Sequence, residues 1–388
     1  MDAHAEIKRA IDAYKEKAVK LSHAIHEHPE LRFEEKFAAS ELTAAAEELG
    51  LKVERGVGDM PTAFRAEFGG EGPIVAIMAE YDALPNGHSC GHNLIAGAAL
   101  TAVAGLSHIR NHLPGRIAFL GTPAEEGGGG KILLLNRGVL ERVDAAMMAH
   151  PMDAEYRTMP ALATQQLKIA FHGRAAHASL APWDGASALT AIVQLFQSLD
   201  SLRLHLRDGS RLHGIITNGG QAVNIIPELT ECQILARGKT STYAKGIGER
   251  IARCAEAAAL ATGTTTEVRV TGGYKNMINN MSIADRYAAH SETLGTRSPV
   301  ARPDIPTGST DMGDISHAMP AIHPIFAISS HGEGSCHEDA FVRHADSARA
   351  YDAMIRVGKA MAMTAYDLLA EPELLEAAKA EFAERQES

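Results

Sequence analysis

Cysteine is scarce in this chain. Four of its 388 residues are cysteine (Cys90, Cys232, Cys254 and Cys336), and they lie far apart. That is too few and too scattered for a disulfide framework. Long apolar runs are missing too, since none reaches the length that spans a bilayer. The opening stretch MDAHAEIKRAIDAYKEKAVKLSHAI carries charges throughout and lacks the apolar segment of a secretory signal. The expectation is therefore reduced thiols, a cytoplasmic location and no membrane partner. Positive charge is not in excess either. Lys and Arg number 37 against 48 Asp and Glu, a formal net charge of −11, which argues against a nucleic-acid partner. No internal repeat or low-complexity linker interrupts the chain.

What is present reads as two domains, because 388 residues exceed what one core usually serves. Ile7, Ile11, Tyr14, Ala18, Leu21 and Ile25 alternate steps of four and three, an amphipathic helix. HPELRFEEKFAASELTAAAEELG is expected as a second helix ending at Gly50. LKVERGV, TAFRAEF and the nearly all-apolar PIVAIMAEYDA then read as strands, the last a central one. NLIAGAALTAVAGLSHI reads as a helix, GRIAFLGTPAEE as a strand and AAMMAHP as one more short buried strand. This alternation predicts an α/β sheet covered by helices. From about residue 165 to 276 the order becomes β-α-β-β-α-β, a ferredoxin-like α+β sandwich. The chain is thus expected as one α/β domain over 1–165 and 277–388, interrupted by an inserted domain over 166–276.

The densest cluster of reactive side chains is LPNGHSCGHNL. Gly87-His88-Ser89-Cys90-Gly91 spells the G-x-S-x-G of a serine nucleophile elbow, but an elbow needs its Ser directly between strand and helix. Here the strand PIVAIMAE ends near Glu80, and six residues, Tyr81 to Asn86, intervene before Gly87. A cysteine nucleophile would need a base, which is normally supplied from a distant segment. A metal reading draws on the rest of the chain. Asp82, Glu125-Glu126, His150 and His337 all follow predicted strands, where α/β sheets gather functional groups. A mixed set of thiolate, imidazole and carboxylate suits zinc or manganese, with cobalt or nickel next. Of two adjacent glutamates, one can ligate while the other moves a proton.

AEYDALP, SCGHNL, GTPAEEGGGGK, MMAHP, GRAAHAS and GGQAVNIIPE occur in an order that resembles the aminoacylase/carboxypeptidase G-type metallopeptidases. The likeness is to their amidohydrolase branch, which uses a cysteine ligand, and most of all to its aminobenzoyl-glutamate hydrolase and dipeptidase-like subgroup. With HPELRFEE and GSTDMG it covers almost the whole chain. The resemblance implies a zinc-peptidase-like catalytic domain with two divalent metal ions, held by Cys90, His92, Glu126, His150 and His337, with Cys90 bridging. It implies Glu125 as general base and Asp82 as the residue that orients a ligand. It further implies that His177 reaches a partner subunit's site to steady the oxyanion, and that Asn224 lies near the substrate. The inserted domain would then be both lid and homodimer surface. The implied reaction is hydrolysis of the amide bond in N-acyl or aryl-acyl amino acids or dipeptide-like substrates. Two alternatives remain: the same machinery acting on another C–N bond such as an aromatic amine, or a non-catalytic binding protein on this fold.

Other conspicuous residues read as structural. His23, His26 and His28 read as supporting groups, and Cys232 and Cys254 as core positions. EEGGGGK is not a phosphate loop, because Glu125 stands where G-x-x-x-x-G-K-[ST] requires its first Gly, and Ile132 where it requires Ser or Thr.

Overall fold

The computed structural model describes residues 2–302 and 308–386. The chain forms two compact units. One takes Met1–Pro160, Met277–Pro306 and Asp314–Ser388, and the other Ala161–Asn276 and Thr307–Gly313.

The first unit opens with helices α1 (Ala3–Glu27) and α2 (Lys36–Glu48), then strands β1 (Val53–Arg55), β2 (Phe64–Gly69) and β3 (Ile74–Ala79). Helix α3 (His92–His108), β4 (Arg116–Gly121), α4 (Gly130–Asn136), β5 (Ala145–Met147) and β6 (His150–Met152) follow. The second unit contains β7 (Ala163–His172), α5 (Ala188–Arg203), β8 (Arg211–Asn218), β9 (Leu229–Gly238), α6 (Ser241–Thr262) and β10 (Thr265–Gly272). Beyond it come α7 (Met281–Thr293), α8 (Met312–Ser316), β11 (Ala321–Ile322), β12 (Ile325–Ala327), α9 (Asp339–His344), α10 (Ala348–Ala370) and α11 (Pro372–Gln386).

Among the described residues the first unit has a mixed sheet in the order β1-β2-β4-β3-β5-β11. Strand β3 is fully buried and parallel to both β4 and β5. Its run IVAIMA has no polar residue, as a strand covered on both faces requires. Helix α3 packs against α1 and α10 and is buried along all but its last residue. Small residues allow that closeness: a Cβ on Gly105 would lie 2.8 Å from the Ile11 side chain.

The second unit is a four-stranded antiparallel sheet in the order β10-β7-β9-β8, with α5 and α6 packed on it. Its β-α-β-β-α-β chain order and this strand order make it ferredoxin-like. Leu167, Ile169, Phe171, Cys232 and Ile234 pack with Ile192, Leu195 and Ile251 as its core.

Two local expectations differ from the structure. HPELRFEE is not helical. Leu31 instead bridges to Ala83, Phe33 takes a left-handed φ of 64°, and α2 starts only at Lys36. Buried Glu35 accepts the Phe33 N–H, and Glu30 accepts those of Phe37 and Ala38, so these side chains hold the turn that precedes α2. AAMMAHP is two strands in different sheets, β5 beside β3 and β6 beside β12. Helix α7 lies in a polar stretch whose weak periodicity does not announce it.

Candidate metal centre

The first unit brings seven of the nine expected site residues together. Cys90 and His92 flank Gly91 at the start of α3. Gly91 has a left-handed φ of 73°, and a Cβ there would meet Pro151 Cγ at 2.6 Å. Glycine is therefore the residue that lets two neighbouring side chains turn into one site. Glu125 and Glu126 lie beyond β4, His150 opens β6, and His337 lies in the loop between β12 and α9.

The donors form overlapping groups. Cys90, His92 and His150 offer ligand atoms all within 4.8 Å of one another, as do Cys90, Glu126 and His337, and His92, Glu125 and Glu126. The separations are informative. Cys90 Sγ to His150 Nε2 is 3.5 Å, and Glu126 Oε1 to His337 Nε2 is 3.3 Å. Neighbouring ligands about 2.0–2.3 Å from one ion stand roughly 3.0–3.6 Å apart. Several of these atoms are buried without a hydrogen bond, among them His92 Nε2 and Glu126 Oε1. Buried polar atoms are normally satisfied, so unpaired donors converging at such spacings fit a cation. The residues present therefore fit the two-ion expectation in number, type and spacing.

The imidazoles are aligned for the task. His92 Nδ1 donates to Asp82 Oδ1 at 3.0 Å, which leaves the lone pair on Nε2. His150 Nδ1 donates to the Pro151 carbonyl at 2.8 Å, leaving its Nε2 facing Cys90. The other oxygen of Asp82 accepts from the Glu126 backbone N–H at 2.9 Å. One carboxylate thus aligns two of the expected ligands, which is the support metal ligands commonly have. Ala124, just before the glutamate pair, holds a left-handed φ of 60° and donates its N–H to Glu35 Oε1 at 2.8 Å. His337 also has a left-handed φ, 77°, and its N–H donates to the Ser89 carbonyl at 2.7 Å. Non-glycine residues hold such backbone only when neighbours fix it, typically at functional sites.

The electrostatics follow from burial and from carboxylates around imidazole. Burial pulls His92 down, but Glu80, Asp82 and Glu126 outweigh it and hold the group well above its usual value. The acids around it thus demand a positive charge at this ring. Burial, with His92 nearby, lowers His150 to about 4, leaving it a neutral donor. Burial raises the Glu126 carboxyl, but His337 and His92 overcome this and bring it below the usual range. Hydrogen bonding with Cys336, and burial after it, push the Cys90 thiol well up. A thiol so placed is a poor free nucleophile, which weighs against the cysteine-nucleophile reading.

His177 and Asn224 belong to the second unit. There the Asn224 carbonyl accepts from the Ala178 N–H at 3.0 Å, which sets the two segments side by side. His177 Nδ1 accepts from the Leu180 N–H at 3.2 Å, placing the ring proton on Nε2. The histidines of α1 have structural partners: His23 meets Asp346 at 2.8 Å, and His26 the Val342 carbonyl at 2.9 Å.

Sequence reasoning passes over four buried polar groups around the centre. Glu80 and Lys131 form an ion pair of 2.5 Å with both side chains fully buried. His323 stacks edge-on to His150, with ring centroids 5.7 Å apart, and burial lowers it to about 3. Glu35 accepts from Thr62 Oγ1 and from the Phe33 and Ala124 N–H groups, and burial raises it to about 7. An acid at the end of an apolar strand (Glu80) and a lysine after a glycine run (Lys131) are the only signals the sequence carries for them.

Comparison with known proteins adds a family. The profile of peptidase family M20/M25/M40 matches residues 76–360. The chain is 39% identical over 391 residues to the Xaa-Arg dipeptidase of Mus musculus, covering 96% of this chain and 90% of that one. It is 35% identical over 309 residues to one of the subunits of p-aminobenzoyl-glutamate hydrolase from Escherichia coli (strain K12), covering 74% and 64%. A Bacillus subtilis protein described as a dinuclear metal binding peptidase from the M20 family superposes with a TM-score of 0.74 at 20% identity, covering 92% and 99%. An aminobenzoyl-glutamate utilization protein from Klebsiella pneumoniae gives 0.76 at 18% identity, covering 94% and 99%. With this donor cluster inside the matched stretch, the chain belongs to peptidase family M20/M25/M40.

Proposed function

We propose that this protein is a metal-dependent amidohydrolase that cleaves the amide bond of dipeptide-like or N-acyl amino acid substrates. The observation that supports the reading is that Cys90, His92, Glu126, His150 and His337 offer donors in overlapping groups, one of which sets Glu125 beside His92 and Glu126. The named activities of the relatives, an Xaa-Arg dipeptidase and an aminobenzoyl-glutamate hydrolase, supply the substrate class.

Cys90, His92, Glu126, His150 and His337 would hold two divalent ions, zinc or manganese first by donor chemistry. When bound, such ions polarise a carbonyl and lower the pKa of water. The chain's own residues do the rest. Glu125, buried beside His92 and Glu126, accepts the proton of the attacking water and hands it to the leaving amine. Asp82 holds the His92 ring and the Glu126 backbone in place while this happens. His177, its ring proton on Nε2, donates to the developing oxyanion in a partner subunit's site, and Asn224 contacts the substrate.

The second unit serves as lid and homodimer surface in this reading. Its strand β8 is at a sheet edge and exposes Ile215 and Ile216, which a second copy would cover. A cytoplasmic location agrees with four cysteines that are all unpaired. Among the described residues, no helix is long and apolar enough to cross a membrane.

The test is a panel of dipeptides, including ones with C-terminal arginine, and of N-acyl and aminobenzoyl amino acids. Each is offered to zinc- or manganese-loaded protein and read by release of a primary amine. Hydrolysis of one class with loss of activity on chelation is expected. No turnover across the panel would overturn the reading, and ammonia released from aromatic amines would favour the deaminase alternative.

A further inference from the structure

The turn between α1 and α2 holds a cation that neither the donor set nor the proton transfer uses. Leu31 bridges to Ala83, and the Ala83 N–H donates to the Glu30 carbonyl at 2.7 Å. The turn is thereby fastened next to Asp82, which aligns two of the expected ligands. Phe33 keeps its left-handed φ of 64° while its N–H donates to buried Glu35 Oε1 at 2.8 Å. A bulky residue holds such backbone only where neighbours enforce it, and ligand clamps are among the places where that occurs.

Arg32 directly precedes this strained residue. Its Nη1 donates to the backbone carbonyl of Glu126 at 3.1 Å. A Cβ on Gly127 would lie 2.7 Å from the same nitrogen, so the first glycine of the EEGGGGK run leaves the space that the guanidinium occupies. Glu30, Glu34 and Glu35 all lie within three residues of Arg32, and each is engaged elsewhere. Glu34 meets Lys36 at 3.1 Å, Glu30 accepts from the Phe37 and Ala38 N–H groups, and Glu35 from Thr62 and two backbone N–H groups. Arg32 is exposed, and among the described residues its remaining N–H donors meet no carboxylate.

An amino acid released from an amide brings a carboxylate to this place. Its nitrogen must reach Glu125 to be protonated, and its carboxylate carbon lies two bonds farther, about 2.5 Å from that nitrogen. Arg32 is anchored on Glu126, the residue after Glu125. A guanidinium offers a carboxylate two parallel N–H donors, and one already seated on a backbone carbonyl loses less freedom on binding. Asp82 and the glutamate pair lie at the same edge and repel an incoming anion, which a fixed cation offsets.

We propose that Arg32 is the specificity-determining residue for a free α-carboxylate on the leaving amino acid, which pairs with the N–H donors that Glu126 leaves unused. Substrates would then be dipeptides and N-acyl amino acids with an unblocked C-terminus, and C-terminal amides would be poor ones. The proposal rests on the amidohydrolase reading above.

Matched substrate pairs test it: alanyl-arginine against alanyl-argininamide, and 4-aminobenzoyl-glutamate against its α-carboxamide. Release of alanine or 4-aminobenzoate gives kcat/KM for metal-loaded wild type, Arg32→Met and Arg32→Lys. Wild type is expected to favour the free acid of any pair it cleaves. Arg32→Met should lose roughly 10–100-fold on that acid, as for loss of a hydrogen bond to a charged group. On the carboxamide it should match wild type within about twofold, because no interaction with the carboxylate is there to lose. Arg32→Lys should recover part of the loss, since it keeps the charge without the fork. An Arg32 that merely braces the Glu126 backbone would lower both members of a pair equally. That result, or a wild type that does not favour the acid, overturns the proposal. Metal content and melting temperature should not change, the side chain being exposed; Arg32→Gln takes the place of Arg32→Met if the latter misfolds. Wild type that cleaves no member of either pair would defeat the amidohydrolase reading itself, an outcome distinct from the others.

Discussion

Two buried clusters in the first unit look alike as ligand sets and differ in one physical respect. His4, His290 and Asp367 bring two imidazoles and a carboxylate within 4.8 Å, as closely as Cys90, His92 and His150 gather. In the first cluster every contact closes. Asp367 accepts from His4 and from His290 at 2.6 Å each, and from Arg286 Nη1 at 2.7 Å. Arg286 also grips Glu371 through two contacts of 2.6 Å. Those atoms are too close, and too well paired, to admit an ion. Around the second cluster the spacings open to 3.3–3.5 Å, and His92 Nε2, Glu80 Oε1 and Glu126 Oε1 are buried without a hydrogen bond. Ligand identity does not separate a metal site from an ion-pair lock; satisfaction of the polar atoms does.

This contrast can be broken by mutation. Glu125→Gln should retain both metal equivalents and lose about 10²–10⁴-fold in kcat, as loss of a general base commonly does. Full activity in that variant would remove Glu125 from the mechanism. Asp367→Asn should act in the opposite way, leaving metal content unchanged while costing about 3 kcal/mol of unfolding free energy by urea titration. Loss of metal from Asp367→Asn would mean that the clusters are not separate.

A pH comparison sharpens the point. Asp367 has cationic partners that bring it below the usual aspartate range despite burial, whereas burial dominates at Glu35 and raises it to about 7. A raised carboxyl favours folding while protonated, and that contribution fades as pH climbs from the unfolded value of 4.5 through the folded one. Relative to Glu35→Gln, wild type should therefore lose up to roughly 3 kcal/mol of stability between those limits and then level off. A pH-independent difference in thermal denaturation would mean that Glu35 is ionised throughout. The smallest effect belongs to His331. Its ring is almost fully exposed and meets Asp153 at 3.0 Å. His331→Ala should change stability by less than about 0.5 kcal/mol and leave metal content untouched.

The parts of the fold legible in the sequence were those written in apolar periodicity. IVAIMA announced a strand covered on both faces, and the run NLIAGAALTAVAGL announced a helix that packs through small residues. The division of AAMMAHP between two sheets was hidden, because the run AAMMA is uniformly apolar and carries no mark that β5 ends at Met147 before β6 begins at His150. At the site, residues in distinctive local motifs (Cys90, His92, the glutamate pair) could be picked out. Lys131 could not, since its partner Glu80 is 51 residues away and only the folded sheet brings them together. Glu35 was hidden by a similar distance, 89 residues from the Ala124 amide it holds.

His337 carries a consequence of a different kind. Its side chain is 60% exposed, whereas that of His92 is completely enclosed. On the two-ion reading, an ion held by Glu126 and His337 would be more open to solvent than one held by His92. Exchange should then proceed at two rates, the outer position equilibrating with buffer long before the inner one. Brief dialysis against a second metal would yield a mixed pair in a known arrangement. The centre would thus keep a record of the order in which its metals arrived.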